Sequence, residues 1–177
     1  MTVVVETGIG LEEANSYIDG AYLVGYFSAE RIEKWEKLSQ EAQDSLLVSA
    51  TQFIDLSYRW IGIRKSIEQG LNWPRENAYY PDTETLIDGI PRAVRKATAE
   101  TVALLLSGNA PASLFMVIQE AQVKREKLAV LETEYFEKKG AAEGETAYEI
   151  LNLLLAGLYN EDLRKSCGIQ TAEVIRS

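Results

Sequence analysis

Residues 39–58 read SQEAQDSLLVSATQFIDLSY, and the spacing of their apolar side chains decides the fold class. Leu46, Ala50, Phe53 and Ser57 recur beside Leu47, Ile54 and Tyr58 at intervals of three and four, the period of one face of an α-helix. Ser39 stands where its hydroxyl can accept an N–H that the first turn leaves unpaired. The pattern returns at residues 91–108, PRAVRKATAETVALLLSG. Pro91 opens that helix and Gly108 ends it. Val94, Ala97, Thr101, Val102 and Leu105 face one way, while Arg92, Arg95, Lys96 and Glu100 form a solvated face. Lys96 and Glu100 are spaced i,i+4, a pairing worth only about 0.3 kcal/mol. The chain is expected to be mainly α, a small helical bundle.

Towards the N-terminus, the β-branched run Thr2 to Thr7 reads as a short strand or extended arm ended by Gly8 and Gly10. Asn15 or Ser16 is expected to cap a helix carrying Tyr17, Ala21 and Val24, and Ser28 a second helix reaching Trp35. Between Tyr58 and Pro91 the period lapses into a long irregular connection rich in Trp and Tyr, punctuated by Gly62, Gly70, Pro74, Pro81 and Gly89. Residues 123–136 alternate as an edge strand would, which makes them the expected short β element, although their charges also suit a solvated helix. Thr146 then caps a last helix carrying Ile150, Leu151, Leu154, Leu155 and Leu158. One helical adaptor domain over 1–159 and an extended C-terminal arm over 160–177 are expected.

Composition closes several routes to function. The 177 residues hold 18 basic and 27 acidic side chains, a formal charge of −9, with no histidine and one cysteine, Cys167. Without imidazole there is no Ser/His/Asp triad and no Cys/His pair. A single thiol forms neither an intrachain disulfide nor a thiolate zinc site, and it suits a reducing cytoplasm. No apolar run approaches the roughly 20 residues that span a bilayer, and no signal peptide is expected. The negative charge argues against general affinity for duplex DNA or an anionic membrane.

Motifs with catalytic potential are thin. Asp82, Glu84 and Asp88 resemble a calcium loop, but Leu86 and Ile87 stand where a ligand and a glycine are required, so a solvated turn is expected. No phosphate-binding glycine loop is present. The pairs Glu12 and Glu13, or Glu132 and Glu134, read as solvated acids, and Ser66 beside Lys65 is no catalytic pair by adjacency. No cofactor, no metal and no enzymatic activity are expected.

The constellation of most interest spans Tyr58 to Tyr80. Arg59, Arg64, Lys65 and Arg75 stand against Glu68 and Glu76, with Tyr58, Trp60, Trp73, Tyr79 and Tyr80 interleaved. Aromatics that stack bases beside cations that hold phosphates are what a single-strand binder requires. The competing account puts Trp60 and Trp73 in the core and has Arg75 tie down nearby carbonyls, and it is the favoured one.

Several segments carry a family resemblance: Ala14-Asn15-Ser16-Tyr17, Ala50-Thr51-Gln52-Phe53-Ile54-Asp55, Trp60-Ile61-Gly62-Ile63-Arg64 and Gln69-Gly70-Leu71-Asn72-Trp73-Pro74-Arg75. Ile90-Pro91 and the stretch from Val123-Lys124-Arg125-Glu126-Lys127 to Tyr135 complete the set. Together they resemble the head-tail connector or adaptor (head completion) proteins of tailed bacteriophages, a sequence type often labelled DnaT-like single-stranded-DNA-binding protein. The resemblance implies a virion protein made in the bacterial cytoplasm, about twelve copies forming a ring beneath the portal. That ring would extend the DNA channel and join the capsid to a tail or neck protein. By the same analogy, Leu163, Ile169, Val174 and Ile175 are candidate portal anchors, and Trp60, Arg64, Trp73, Pro74 and Arg75 form the structural motif. Lys124, Arg125, Lys127, Val130 and Tyr135 are candidate subunit contacts, an exposed strand edge being able to pair with a neighbour. DNA would pass without sequence-specific binding, repelled by an acidic wall. The adaptor is the expected function. The rivals are a single-strand-binding module using Trp60, Trp73, Arg64 and Arg75, and a carboxylate-based hydrolase.

Overall fold

The computed structural model describes residues 2–108 and 149–160. It is mainly helical, with one short two-stranded antiparallel sheet. The elements are α1 (Gly20–Tyr26), α2 (Ala29–Glu36), α3 (Gln40–Ser57), β1 (Ile63–Arg64), β2 (Arg75–Glu76) and α4 (Arg92–Ser107), followed by helical residues 149–154.

α3 and α4 form where the apolar period places them. Ser39 Oγ accepts the Ala42 N–H at 3.3 Å, and Leu47, Val48, Ala50, Thr51, Phe53 and Ile54 are buried. α4 follows Pro91 and ends at Gly108, whose φ of 72° is the left-handed conformation glycine adopts without a steric penalty. Its buried residues are Val94 and Val102 together with the small Ala97, Thr98, Ala99, Thr101 and Ala103, and the helix packs against α3. Two hydroxyls in that dry contact are satisfied within the helix, Thr98 by the Val94 carbonyl at 2.9 Å and Thr101 by the Ala97 carbonyl at 2.8 Å.

The first helix starts later than its sequence suggests. Asp19 caps α1 through the Tyr22 N–H at 2.8 Å. Asn15 and Ser16 have cap chemistry but spend it on tertiary bonds. Asn15 Oδ1 accepts the Val4 N–H and its amide donates to the Thr2 carbonyl, holding the extended N-terminal segment. Ser16 Oγ donates to the Ile18 carbonyl and lies 3.4 Å from the Thr51 hydroxyl. Tyr17 is therefore buried ahead of the helix, and Leu23, not Ala21 or Val24, is the buried residue of α1. Glu6 closes the turn that follows: its carboxylate accepts the N–H groups of Gly8, Ile9, Gly10 and Leu11 at 2.8–3.0 Å.

The short sheet lies inside the irregular connection, with Ile63 opposite Glu76 and Arg64 opposite Arg75. Gly62 makes it possible: its φ is +69°, and a Cβ there would collide with the Glu76 carbonyl oxygen. Residues 123–136, where the β element was expected, and the arm over 161–177 lie outside the described residues. Helical residues 149–154 bury Leu151, and Leu155 and Leu158 follow into the core, whereas Ile150 is exposed. Trp60 pairs with Tyr159 in an antiparallel bridge, tying the end of that helix to the start of the connection. Among the described residues no helix is long and apolar enough to cross a membrane.

Candidate functional site

The aromatic residues singled out between Tyr58 and Tyr80 divide into two groups by burial. Trp73 has no exposed surface and Trp60 retains 6%. Their rings meet edge to face, centroids 5.9 Å apart, with Tyr58 5.5 Å from Trp60 and 4.9 Å from Tyr159. Stacking a base on either indole would require opening the core. Arg75 is spent as well: Nε donates to the Ile61 carbonyl at 2.6 Å, and the terminal nitrogens reach Gly62 at 2.8 Å and Asn72 at 3.1 Å. Arg64 donates to the Gln69 carbonyl, and Pro74 is buried. The motif Trp60, Arg64, Trp73, Pro74 and Arg75 thus organises the connection, and a single-strand site built from Trp60, Trp73, Arg64 and Arg75 is not what the fold presents.

Tyr79 and Tyr80 are the exposed group, and Tyr80 contributes to a different site. A groove of about 610 Å³ opens between α1, Tyr80 and the first turn of α4, lined by Tyr22, Tyr26, Tyr80, Ile90, Arg92 and Arg95 with Ala21 and Gly25. Tyr22 and Tyr26 lie one helical turn apart, so their rings stack, centroids 6.1 Å apart and planes within 15°. Tyr26 is fixed from behind, its hydroxyl donating to Glu100 Oε1 at 2.8 Å while Arg31 donates to Glu100 Oε2 at 3.3 Å. Burial first, and then the Glu100 carboxylate, push the Tyr26 hydroxyl up to about 12, so it remains a neutral donor. Glu100 therefore faces Tyr26 and Arg31, and the Lys96 pairing expected from i,i+4 spacing is not formed.

Arg92 and Arg95 stand where helix energetics disfavour them. The N-terminus of a helix carries partial positive charge, and a cation there costs on the order of 0.3–1 kcal/mol; α4 has no acidic residue in its first turn to offset this. Among the described residues the ion pairs are Arg31–Glu100, Lys34–Glu30 and Lys37–Glu33, their cations drawn from α2 and from Lys37 at its C-terminal cap. Arg92 and Arg95 join none of them. Arg95 donates one hydrogen bond, to the Ile90 carbonyl at 3.4 Å. Two guanidinium groups without an acidic partner, lining one groove with three tyrosines, can hold phosphate oxygens while bases lie on the rings.

A second concavity of about 490 Å³ contains Asp55, Arg64, Asn15, Gln52 and Asn72. Burial raises the Asp55 carboxyl to about 6, even though hydrogen bonds from Tyr17 and the Asn72 N–H and the charges of Arg64 and Arg75 pull it down. Both oxygens are engaged, Oδ1 by the Tyr17 hydroxyl and Oδ2 by the Asn72 N–H at 2.9 Å. Asp55 is the single carboxylate in that lining, so a paired-acid mechanism has no second acid there. Glu12, Glu13, Asp82, Glu84 and Asp88 are exposed, and no group of three or more potential ligands among the described residues could hold a metal ion.

The proposed anchors Leu163, Ile169, Val174 and Ile175, the contacts Lys124, Arg125, Lys127, Val130 and Tyr135, and Cys167 lie outside the described residues. Tyr22, Tyr26, Arg92 and Arg95 were missed by sequence reasoning. Two signals pointed to them: tyrosines at i,i+4 on a short helix, and two arginines in a first turn without an acid.

The family model described as "Putative DnaT-like ssDNA binding protein" matches residues 1–177, the whole chain. No curated protein matches. No solved structure matches either. The full-length match corrects the assignment to phage head-tail connectors: the family found is the DnaT-like one, and nothing found supports a connector or virion role. The ring, portal and virion-neck expectations followed from that assignment and are not carried forward.

Proposed function

We propose that this chain, which belongs to the family of DnaT-like ssDNA-binding proteins, holds single-stranded DNA in the groove between α1 and the start of α4. It is read as a binding module with no catalytic role. The observation that carries this reading is the convergence of Tyr22, Tyr26 and Tyr80 with Arg92 and Arg95, two cations without acidic partners among the described residues. Bases stack on tyrosine faces at about 1–3 kcal/mol each whatever their identity, so sequence preference is expected to be small.

The net charge of −9 shapes the mode of binding. Contact is confined to a local basic patch, and the remaining surface repels further phosphates. With two arginines taking phosphates, the logarithm of affinity should fall against the logarithm of salt with a slope of about −1.4, shallow for a nucleic-acid binder.

Fluorescence anisotropy with a labelled oligothymidylate tests this. Binding that weakens at least tenfold in Arg92→Glu/Arg95→Glu supports it, as each lost phosphate contact removes a charge-assisted bond. Equal binding by the parent and the double variant would overturn it.

A further inference from the structure

We infer that the binding path does not end in the tyrosine and arginine groove but crosses a backbone divide into a second groove at Tyr79, so that successive bases turn to opposite sides. This rests on the reading of the first groove as a single-strand site. The second groove, about 340 Å³, is lined by Lys65, Asn77, Tyr79, Leu86, Asp88 and Gly89 among others.

The divide is defined by two pairs of neighbours. Tyr80 and Ile90 line the first groove, Tyr79 and Gly89 the second. The Tyr79 segment is extended: Tyr79 bridges Leu86, the Tyr80 N–H bonds the Thr85 carbonyl at 2.9 Å, and the Ile87 N–H bonds the Ala78 carbonyl at 2.8 Å. Side chains that are adjacent in extended backbone point to opposite sides, which is why two consecutive tyrosines serve two grooves. Both rings reach solvent, Tyr79 at 49% and Tyr80 at 38% exposure.

A ligand that uses both tyrosines must splay neighbouring bases apart. Paired bases in a duplex face one another and cannot do so, whereas an unpaired strand can. The geometry thereby discriminates by strandedness without reading sequence. Lys65 lines the second groove, is exposed and is in no ion pair among the described residues, so it is available to a phosphate. Glu76 and Asp88 in the same lining oppose the charges of Lys65 and Arg75, and Arg75 is already bonded to backbone carbonyls, so the second groove admits a base and leaves the backbone beside Lys65.

The test measures a twelve-residue oligothymidylate and a hairpin duplex by anisotropy against the full chain, Tyr79→Ala, Tyr79→Phe, Tyr80→Ala and Lys65→Ala. Tyr79→Ala should weaken single-strand binding about tenfold and Tyr79→Phe should restore it, because a phenyl face still stacks. Lys65→Ala should make the salt slope shallower by about 0.7. If Tyr80→Ala weakens binding but Tyr79→Ala does not, the second groove is excluded and the first stands. If neither change matters while Arg92→Glu/Arg95→Glu still loses binding, the second groove is excluded and the first stands on Tyr22 and Tyr26; if that double variant binds as the parent does, the first-groove reading falls and this inference with it. Duplex binding as tight as single-strand binding would also overturn the two-sided path.

Discussion

The hydroxyl of Tyr17 donates to the carboxylate of Asp55, 38 positions along the chain, and the same hydroxyl oxygen receives the N–H of Trp73 at 3.0 Å. One buried phenol thus joins the segment before α1, the last turns of α3 and the backbone of Trp73, whose indole lies in the core beneath the connection. Burial and the Asp55 charge hold the Tyr17 hydroxyl well above its ordinary titration range, so it stays a donor at every physiological pH.

Tyr17→Phe keeps the ring and deletes that junction. The Trp73 N–H is then left buried without its acceptor and Asp55 without its hydroxyl donor, a loss of about 1–3 kcal/mol. Urea unfolding should show a lower midpoint with an unchanged slope. An unaltered midpoint would mean the junction contributes nothing.

Asp55 makes stability depend on pH in the direction opposite to an ordinary salt-bridged carboxylate. Its folded value is raised from 3.8 to about 6, so between those limits the native state binds the proton more tightly than the unfolded chain. The contribution of this group is fully present below about pH 4, is lost as pH rises towards about 6, and is constant above that. Two units correspond to about 3 kcal/mol. The difference in unfolding free energy between the parent and Asp55→Asn, measured from pH 4 to 7.5, should change by that order across the window. A flat difference would show that Asp55 titrates near its ordinary value in the folded protein.

Glu100 positions one wall of the proposed binding groove without lining it. Glu100→Gln removes the charge that, after burial, holds the Tyr26 hydroxyl at about 12, so one tyrosine should titrate closer to 10 in an ultraviolet pH titration. It also breaks the Arg31 contact. Oligonucleotide affinity should fall severalfold with the salt slope unchanged, because no phosphate contact is lost. A changed slope would indicate that Glu100 acts on the DNA charge directly.

The sequence by itself determined the two long helices, the irregular connection between them and the acidic surface, because helical period, caps and net charge are local or additive properties. It also marked residues 58–80 as the aromatic and basic stretch, yet burial is not local. Packing of α3, α4 and helical residues 149–154 placed Trp60 and Trp73 inside, left Tyr79 and Tyr80 outside, and spent Arg75 on backbone carbonyls. Tertiary structure likewise drew Asn15 and Ser16 away from capping, and turned Glu100 from Lys96 towards Tyr26 and Arg31. The groove joins Tyr22 and Tyr26 to Arg92 and Arg95 across some 70 positions of chain, a distance at which only the folded geometry, not the spacing of residues, decides who meets whom.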